Sequence, residues 1–479
     1  MSEKNINRRD FLKLAGAAAA VTSVAMTGCS NAETTEKVTG QKTTSKKEIP
    51  TDKMTYRINP KTGEKVSLLG YGFMRLPTIN SRSARENGQE ELDQETINKL
   101  TDYAIEHGLN IFDTSPNYCQ GRSETAMGIA LSRHPRDKYL ISTKLSNFSP
   151  AQWSFEESVK IYKNSLKYLQ TDYIDYMHLH FVGATATIDD QRLSGMETFN
   201  RRFIDNGLLD FLVKEREAGR IKNLGFSFHG DIDVFERLVD EHDKYHWDFV
   251  MIQMNYVDWK YAKKVNPMNT NAEYLYKHLT DKQIPVFVME PILGGRLAKL
   301  PVHLEKMLRE RIVENSIASW SFRWLGSHPN VLTILSGMTY MEHLQDNLSS
   351  FCPLQECSED EFNLLQRVSD EFINFPLVPC TQCQYCMPCP YGVDIPTSFA
   401  HYNKCVNEGF ISVSCQDKEF VENRKRFLIG YDRVVERKRQ AAHCIGCGEC
   451  MPHCPQNIKI PEKLNDINDY IEKLRQEKL

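Results

Sequence analysis

Asn110-Ile111-Phe112-Asp113-Thr114-Ser115-Pro116-Asn117-Tyr118 is a short apolar run that turns polar and then meets a proline. Asn110–Asp113 has the length of a buried strand, and Ser115-Pro116-Asn117 ends it, since proline offers no ladder donor and its neighbours favour turns. Helical patterns flank it, Gln94–His107 before and Ser123–Ser132 after. The same alternation repeats outward. Strands are predicted at Leu69–Phe73, Tyr139–Lys144, Tyr173–His180, Ile221–Phe226, Phe249–Met254, Pro285–Met289 and Val331–Leu335, with helical segments such as Phe155–Leu169 and Phe211–Ala218 between them. A hairpin, Tyr56–Ile58 and Glu64–Ser67 around Asn59-Pro60-Lys61-Thr62-Gly63, precedes the first. Eight strand–helix units predict an α/β fold, a (β/α)8 barrel over residues 55–352. A doubly wound sheet comes second, because no Gly-rich fingerprint follows an early strand.

In such a barrel, chemistry sits where strands end and the following loops begin. The second strand ends at Asp113, the third in Ser142-Thr143-Lys144, and the fourth in His178-Leu179-His180. A charged Asp and Lys at neighbouring strand tops are costly to bury unpaired, so Asp113 and Lys144 are expected to face each other. Tyr118 can act as a proton donor if its pKa, about 10 when free, falls toward neutrality, and an adjacent ammonium has that effect. An imidazole nearby can orient a carbonyl or relay a proton. Asp–Lys pairs inside barrels are also found as purely structural elements.

This constellation resembles the aldo–keto reductases, over Leu69 to Asn347. The interval from Asp113 to Tyr118, the Lys closing strand 3, the His five residues after Asp175, and Gly121-Arg122-Ser123-Glu124 all match. The resemblance implies Tyr118 as general acid, Lys144 lowering its pKa, Asp113 holding Lys144, and His180, rather than His178, orienting substrate. It also implies a nicotinamide nucleotide, NADP(H) or NAD(H). Ser227 and Gln253 would clasp the nicotinamide, the loop with Gly294, Gly295 and Arg296 would fold over the pyrophosphate, and the stretch with Gly337, Met338 and Asn347 would hold the adenosine end. Phe228, with His229 beside it, replaces the usual Asn, Met289 the usual stacking Tyr, and Gly337 and His343 the Lys and Arg that favour a 2′-phosphate. The choice between the two nucleotides therefore stays open. Cys119 stands where Gly is common and reads as an incidental thiol. Val182 to Asn206 is longer than a strand-to-helix join needs and is placed to shape a substrate pocket.

Eight of the 14 cysteines fall in two runs, Cys380-x2-Cys383-x2-Cys386-x2-Cys389-Pro390 and Cys444-x2-Cys447-x2-Cys450-x3-Cys454-Pro455. Closely spaced thiolates on one loop can cup an iron–sulfur cube, and a following Cys-Pro can ligate the other cube. The reading is two 4Fe–4S clusters, one on Cys380, Cys383, Cys386 and Cys454, the other on Cys444, Cys447, Cys450 and Cys389. Zinc knuckles or disulfides are the plainer alternatives, but zinc sites favour paired C-x2-C knuckles. Helical pattern between the runs makes residues 353–479 resemble the alpha-helical ferredoxins. Together the chain resembles aldo–keto reductases with a C-terminal dicluster ferredoxin domain.

The chain has 479 residues, net charge −4, 25% charged and 41% hydrophobic residues, an ordinary globular composition with room for two domains. No basic block outside the extreme N-terminus points to nucleic acid. Asn7-Arg8-Arg9-Asp10-Phe11-Leu12-Lys13, with a mild apolar stretch to Met26, resembles a twin-arginine export signal, and Met26-Thr27-Gly28-Cys29 a lipobox. Residues 1–29 are thus expected to be a signal peptide and 30–54 a flexible linker. The implied place is the extracytoplasmic face, with membrane contact only through a lipid on Cys29. Export of this type carries folded proteins, which suits clusters inserted beforehand. The expected function is an iron–sulfur oxidoreductase of aldo–keto reductase type, with hydride transfer between a nicotinamide nucleotide and a small carbonyl or alcohol at Tyr118 and the two 4Fe–4S clusters exchanging electrons with a partner protein. The competing expectation is an exported electron-transfer or redox-sensing lipoprotein whose barrel is only a scaffold.

Overall fold

The computed structural model describes residues 49–80, 90–188, 191–312, 316–374 and 377–479; the signal-like segment, Cys29 and the linker up to Glu48 lie outside them. Eight strands close a parallel barrel: β1 (Leu69–Gly72), β2 (Ile111–Asp113), β3 (Leu140–Leu145), β4 (Ile174–Val182), β5 (Ile221–Phe228), β6 (Phe249–Gln253), β7 (Val286–Met289) and β8 (Val331–Ser336). Each pairs with its successor, and β8 closes onto β1. The strands are buried almost throughout because side chains on one face fill the barrel and those on the other meet the helices. The hairpin Tyr56–Ile58 and Lys65–Ser67 closes the barrel floor, where Asn59 Nδ2 donates to the Tyr176 hydroxyl (3.1 Å) and to Asn223 Oδ1 (3.2 Å).

Register positions the chemistry. Asp113 lies opposite Ser142, and Lys144 opposite His178. Because side chains alternate with period two, Ser142 and Lys144 point the same way, as do His178 and His180. β4 continues to Val182 and leads into an insertion, with an antiparallel pair, Ala186–Ile188 and Gln191–Leu193, and a helix, Gly195–Phe199, capped by Ser194 Oγ.

Helix Glu359–Phe372 starts at a capping box on Ser358 and buries Leu364, Leu365, Val368 and Phe372 in the barrel's outer core. Arg323 Nη1 and Nη2 grip Glu361 at 3.0 and 2.8 Å. The change of core therefore falls after Phe372, later than the expected start at Pro353. Beyond it, helices Ile395–Asn407, Phe420–Val434 and Ile460–Gln476 enclose a separate core around Phe399, Phe427, Tyr431 and Leu464. This C-terminal lobe is seated on the mouth of the barrel: Asn266 Nδ2 donates to the Pro455 carbonyl (2.7 Å), Asn457 Nδ2 to Asn266 Oδ1 (3.1 Å), and Lys299 pairs with Glu408. Among the described residues no helix is long and apolar enough to cross a membrane.

Candidate active site and cluster cradles

Lys144, 1% exposed, donates from Nζ to Asp113 Oδ2 (2.6 Å) and to the Thr114 carbonyl (2.8 Å). Ser142 Oγ donates to the other carboxylate oxygen (2.7 Å). Burial pushes the Asp113 carboxyl up and the Lys144 ammonium down, and each partner's charge opposes the shift of the other. The ion pair is the state in which these hydrogen bonds are all met.

Tyr118 opens the turn after β2, where Cys119 and Gln120 take left-handed backbone (φ 48 and 56). That conformation is the one glycine adopts most cheaply, and Cys119 takes it here. Lys144 Nζ lies over the Tyr118 ring, 4.8 Å from its centroid. The phenol is nevertheless held well above its usual range, by burial first and then by the charges of Asp113 and Glu290. The net direction is upward, against the fall toward neutrality that an adjacent ammonium alone would produce. The ammonium's charge is matched by Asp113, so the phenol feels the buried pair and the dry site together. Tyr118 is thus a neutral hydroxyl, loaded with the proton that a general acid must give.

The His180 ring stands nearly perpendicular to that of Tyr118, with centroids 6.1 Å apart. Its Nδ1 meets Ser146 Oγ at 2.6 Å, leaving Nε2 for the pocket, and Arg202 Nη2 fixes its carbonyl at 2.7 Å. Burial and then the Lys144 charge keep His180 well below the ordinary histidine range, so it acts as a neutral hydrogen-bonding group. His178 Nε2 meets Ser142 Oγ (2.8 Å) behind Asp113 and is absent from the pocket wall.

Asp113, Tyr118, Lys144, His180, Ser227, Gln253, Gly294, Gly295 and Gly337 all line one cavity. Arg296, Met338 and Asn347 do not. Met338 is buried, its carbonyl accepting from the Tyr71 hydroxyl (2.6 Å), and Asn347 Nδ2 donates to Ser336 Oγ (2.9 Å), bracing the end of β8. Ser227 Oγ accepts from the Phe181 amide (3.0 Å), and Gln253 Nε2 donates to Asp258 Oδ2 (2.8 Å).

The remaining wall was not foreseen. Thr381, Cys383, Tyr385, Pro455 and Gln456 of the lobe close the cavity, with Arg75, His229 and Glu290 of the barrel. Burial holds the Tyr385 phenol well above its usual range, and Tyr118 and Glu290 are close enough to add to the shift. A motif search treats Tyr385 as a spacer between Cys383 and Cys386, so it carried no signal. A second cavity of about 710 Å³ lies on the other side of Phe181 and Tyr385. Ala184, Thr187, Arg192 and Thr198 of the insertion line it, together with Asn117 and, from the lobe, Pro452 to Pro455.

The cysteines of the two runs line two cavities. Cys380, Cys383, Cys386 and Cys454 line one cavity, walled by Ile395, Phe399, Ile458 and Ile460. Cys389, Cys444, Cys447 and Cys450 line another, which Cys386 also borders. Burial and neighbouring thiols push Cys386 far up and Cys450 up to about 11. Thiolates so placed need a cation, and bound iron would displace their protons. Cys447 is exposed, whereas no cysteine of the first set is.

Comparison with known proteins follows the same division. The aldo/keto reductase family profile matches residues 69–370, the 4Fe-4S dicluster domain 379–459, and the twin-arginine translocation signal 5–25. An uncharacterized oxidoreductase of Bacillus subtilis is 24% identical over 63% of this chain and 92% of its own. A probable voltage-gated potassium channel subunit beta of Arabidopsis thaliana is 23% identical over 62% of this chain and 91% of its own. A solved aldo-keto reductase from Bacillus halodurans superposes with a TM-score of 0.49 at 22% identity, covering 66% of this chain and 96% of that one. The chain carries a twin-arginine signal for export to the extracytoplasmic side and a C-terminal 4Fe-4S dicluster domain, and its barrel makes it an oxidoreductase of the aldo/keto reductase family.

Proposed function

We propose that the chain is an exported oxidoreductase that reduces a carbonyl group, or oxidises the matching alcohol, at Tyr118, with two 4Fe–4S clusters as its electron store. The observation that carries this reading is the shared wall: the Asp113–Tyr118–Lys144–His180 group and the cluster-loop residues Cys383 and Tyr385 face one cavity. Cys380, Cys383, Cys386 and Cys454 would hold the first cluster and Cys389, Cys444, Cys447 and Cys450 the second. When bound, such clusters supply or accept single electrons. Reduction of C=O to CH–OH takes two electrons, which would come one from each reduced cluster, and two protons. Tyr118 would give one proton to the oxygen, with Lys144 (held by Asp113) facing the phenolate left behind and neutral His180 holding the oxygen through Nε2. Solvent would supply the proton of the new C–H bond and the one that reloads Tyr118. The exposed Cys447 side suits electron entry from a partner protein. The cavity beneath the insertion suits a small-molecule substrate approaching past Phe181. A lipid on Cys29 would tether the enzyme to the membrane face.

A nicotinamide hydride donor is the second reading, supported by Ser227, Gln253, Gly294, Gly295 and Gly337 lining the same cavity. The test of the main reading uses anaerobic, cluster-loaded protein with a reduced viologen as donor and a panel of aldehydes, ketones and quinones. Tyr118→Phe is expected to lose about 10²–10⁴-fold in turnover with unchanged cluster spectra. A Tyr118→Phe protein that turns over like the wild type would return the barrel to the role of scaffold.

A further inference from the structure

We propose that the cradle this barrel would offer to a dinucleotide pyrophosphate instead holds the first cysteine loop of the lobe, with Arg296 as the fixed positive charge beside the first cluster. The inference rests on the cluster reading above and deepens it by removing the nucleotide from the electron path.

Three observations meet. The first is contact at the glycine turn. Gly294 has φ +67, and a Cβ built there would lie 2.5 Å from Thr381 Cα and 3.0 Å from the Thr381 carbonyl oxygen. The lobe backbone therefore occupies the space directly over the turn. Arg75 clamps the two, with Nη1 3.5 Å from the Gly294 carbonyl oxygen and Nη2 3.3 Å from that of Thr381. Its stem also fills the space over Gly337, where a Cβ would meet Arg75 Cδ at 3.1 Å.

The second is size. The cavity left beside Tyr118 is about 140 Å³. A cavity of ~150 Å³ admits benzene, whereas sites for drug-sized ligands run to roughly 300–1,000 Å³. A dinucleotide does not enter without lifting the lobe.

The third is a buried cation with open donors. Arg296 is buried over the Phe372 ring (5.0 Å to its centroid), and its Nε and Nη1 have no hydrogen-bond partner among the described residues. Arg296 follows by two residues Gly294, on which Thr381, the residue after Cys380, is packed, and the acidic groups that act on it are Asp258 and Cys380. Asp258 accepts from Gln253 and Asn255 through Oδ2, and its Oδ1 is not paired with the Arg296 donors among the described residues. An iron–sulfur cube held by four thiolates is an anion, and a buried guanidinium with free donors is the counter-charge it requires. Net charge and hydrogen bonds to sulfur set the potential of such a cube, so Arg296 favours its reduced, more negative state.

The test has two arms, both on full-length, cluster-loaded protein kept anaerobic. In the first, NADPH and NADH are titrated by fluorescence to ~1 mM, the upper end of ordinary substrate constants. No saturable binding is expected; saturable binding of either nucleotide with the first cluster in place overturns the proposal. In the second, redox titration followed by electron paramagnetic resonance compares wild type, Arg296→Gln and Arg296→Lys. Arg296→Gln is expected to lower the reduced-to-oxidised ratio of one cluster at least tenfold at fixed potential, a shift of about 59 mV for one electron. The other cluster should hold its value, and Arg296→Lys should stay nearer the wild type. Equal potentials in all three proteins overturn the assignment of Arg296. Either failure leaves the Tyr118 reading standing, since that reading falls only with viologen-driven turnover.

Discussion

Gly294→Ala probes the seat of the lobe, because the added methyl group would stand 2.5 Å from Thr381 Cα and 2.6 Å from its Cβ. Neither atom can swing aside as a side-chain tip would, so the turn or the lobe must move. Overpacking of this kind costs about 1–3 kcal/mol. The positive φ of +67 adds backbone strain of about 1–3 kcal/mol, which says nothing about docking. Gly295→Ala separates the two contributions, since Gly295 has φ +96 and nothing within 4 Å of its missing Cβ. The difference between the variants is the contact itself, about 1–3 kcal/mol, or roughly 5–150-fold in the docked-to-undocked ratio. Hydrogen exchange on anaerobic, cluster-loaded protein reads that ratio segment by segment. Peptides covering Leu293–Leu297 and Cys380–Cys386 should exchange faster by this factor in Gly294→Ala than in Gly295→Ala, while β2 and β3 keep their protection. Equal protection of Cys380–Cys386 in the two variants would refute a lobe seated on this turn.

Lys144→Met leaves the Asp113 carboxylate buried with Ser142 as its remaining side-chain donor, a loss of about 3–5 kcal/mol at neutral pH. With burial still raising the carboxyl and no ammonium opposing it, Asp113 takes a proton more readily, so the loss should shrink as pH falls toward 5; denaturation midpoints at both pH values check this. Glu124, raised by burial from 4.5 to about 7 and bonded to Thr143 Oγ1 at 2.6 Å, keeps in the fold a proton that the unfolded chain releases. Stability should therefore fall by about 3 kcal/mol as pH rises from 4.5 to 7, and Glu124→Gln should remove that slope. Cys454→Ser should cost the cluster of Cys380, Cys383 and Cys386, and Cys389→Ser that of Cys444, Cys447 and Cys450. Iron content and paramagnetic spectra showing each serine disturbing its own run's cluster would break the cross-pairing.

The barrel was legible because its signals are local and repeated. Each strand is a short apolar run with a turn signal after it, and the observed strands begin and end within a few residues of the expected ones. The Asp113–Lys144 pair was legible for a different reason: two charges on adjacent strand tops have few ways to be buried. His180 could be preferred to His178 only through family resemblance, since both share a strand face; the network Ser142–His178 against Ser146–His180 separates them. Helix Glu359–Phe372 shows its capping box in the sequence, but not that Glu361 answers Arg323 across the barrel's outer layer. The lobe's docking was the least legible feature. Thr381 against Gly294, and Tyr385 near Tyr118, join residues far apart in the chain, and no local pattern announces either. The high phenol of Tyr118 escaped as well, since it comes from burial in a cavity walled by several distant segments.

The central claim is that electrons reach the tetrad from the lobe and not from a nicotinamide. The most direct measurement mixes oxidised, cluster-loaded protein anaerobically with NADPH, with NADH and with a reduced viologen, and follows the clusters by electron paramagnetic resonance. The account predicts reduced-cluster signals with the viologen and none with either nucleotide. Cluster reduction by NADPH or NADH in the absence of any other protein would contradict it.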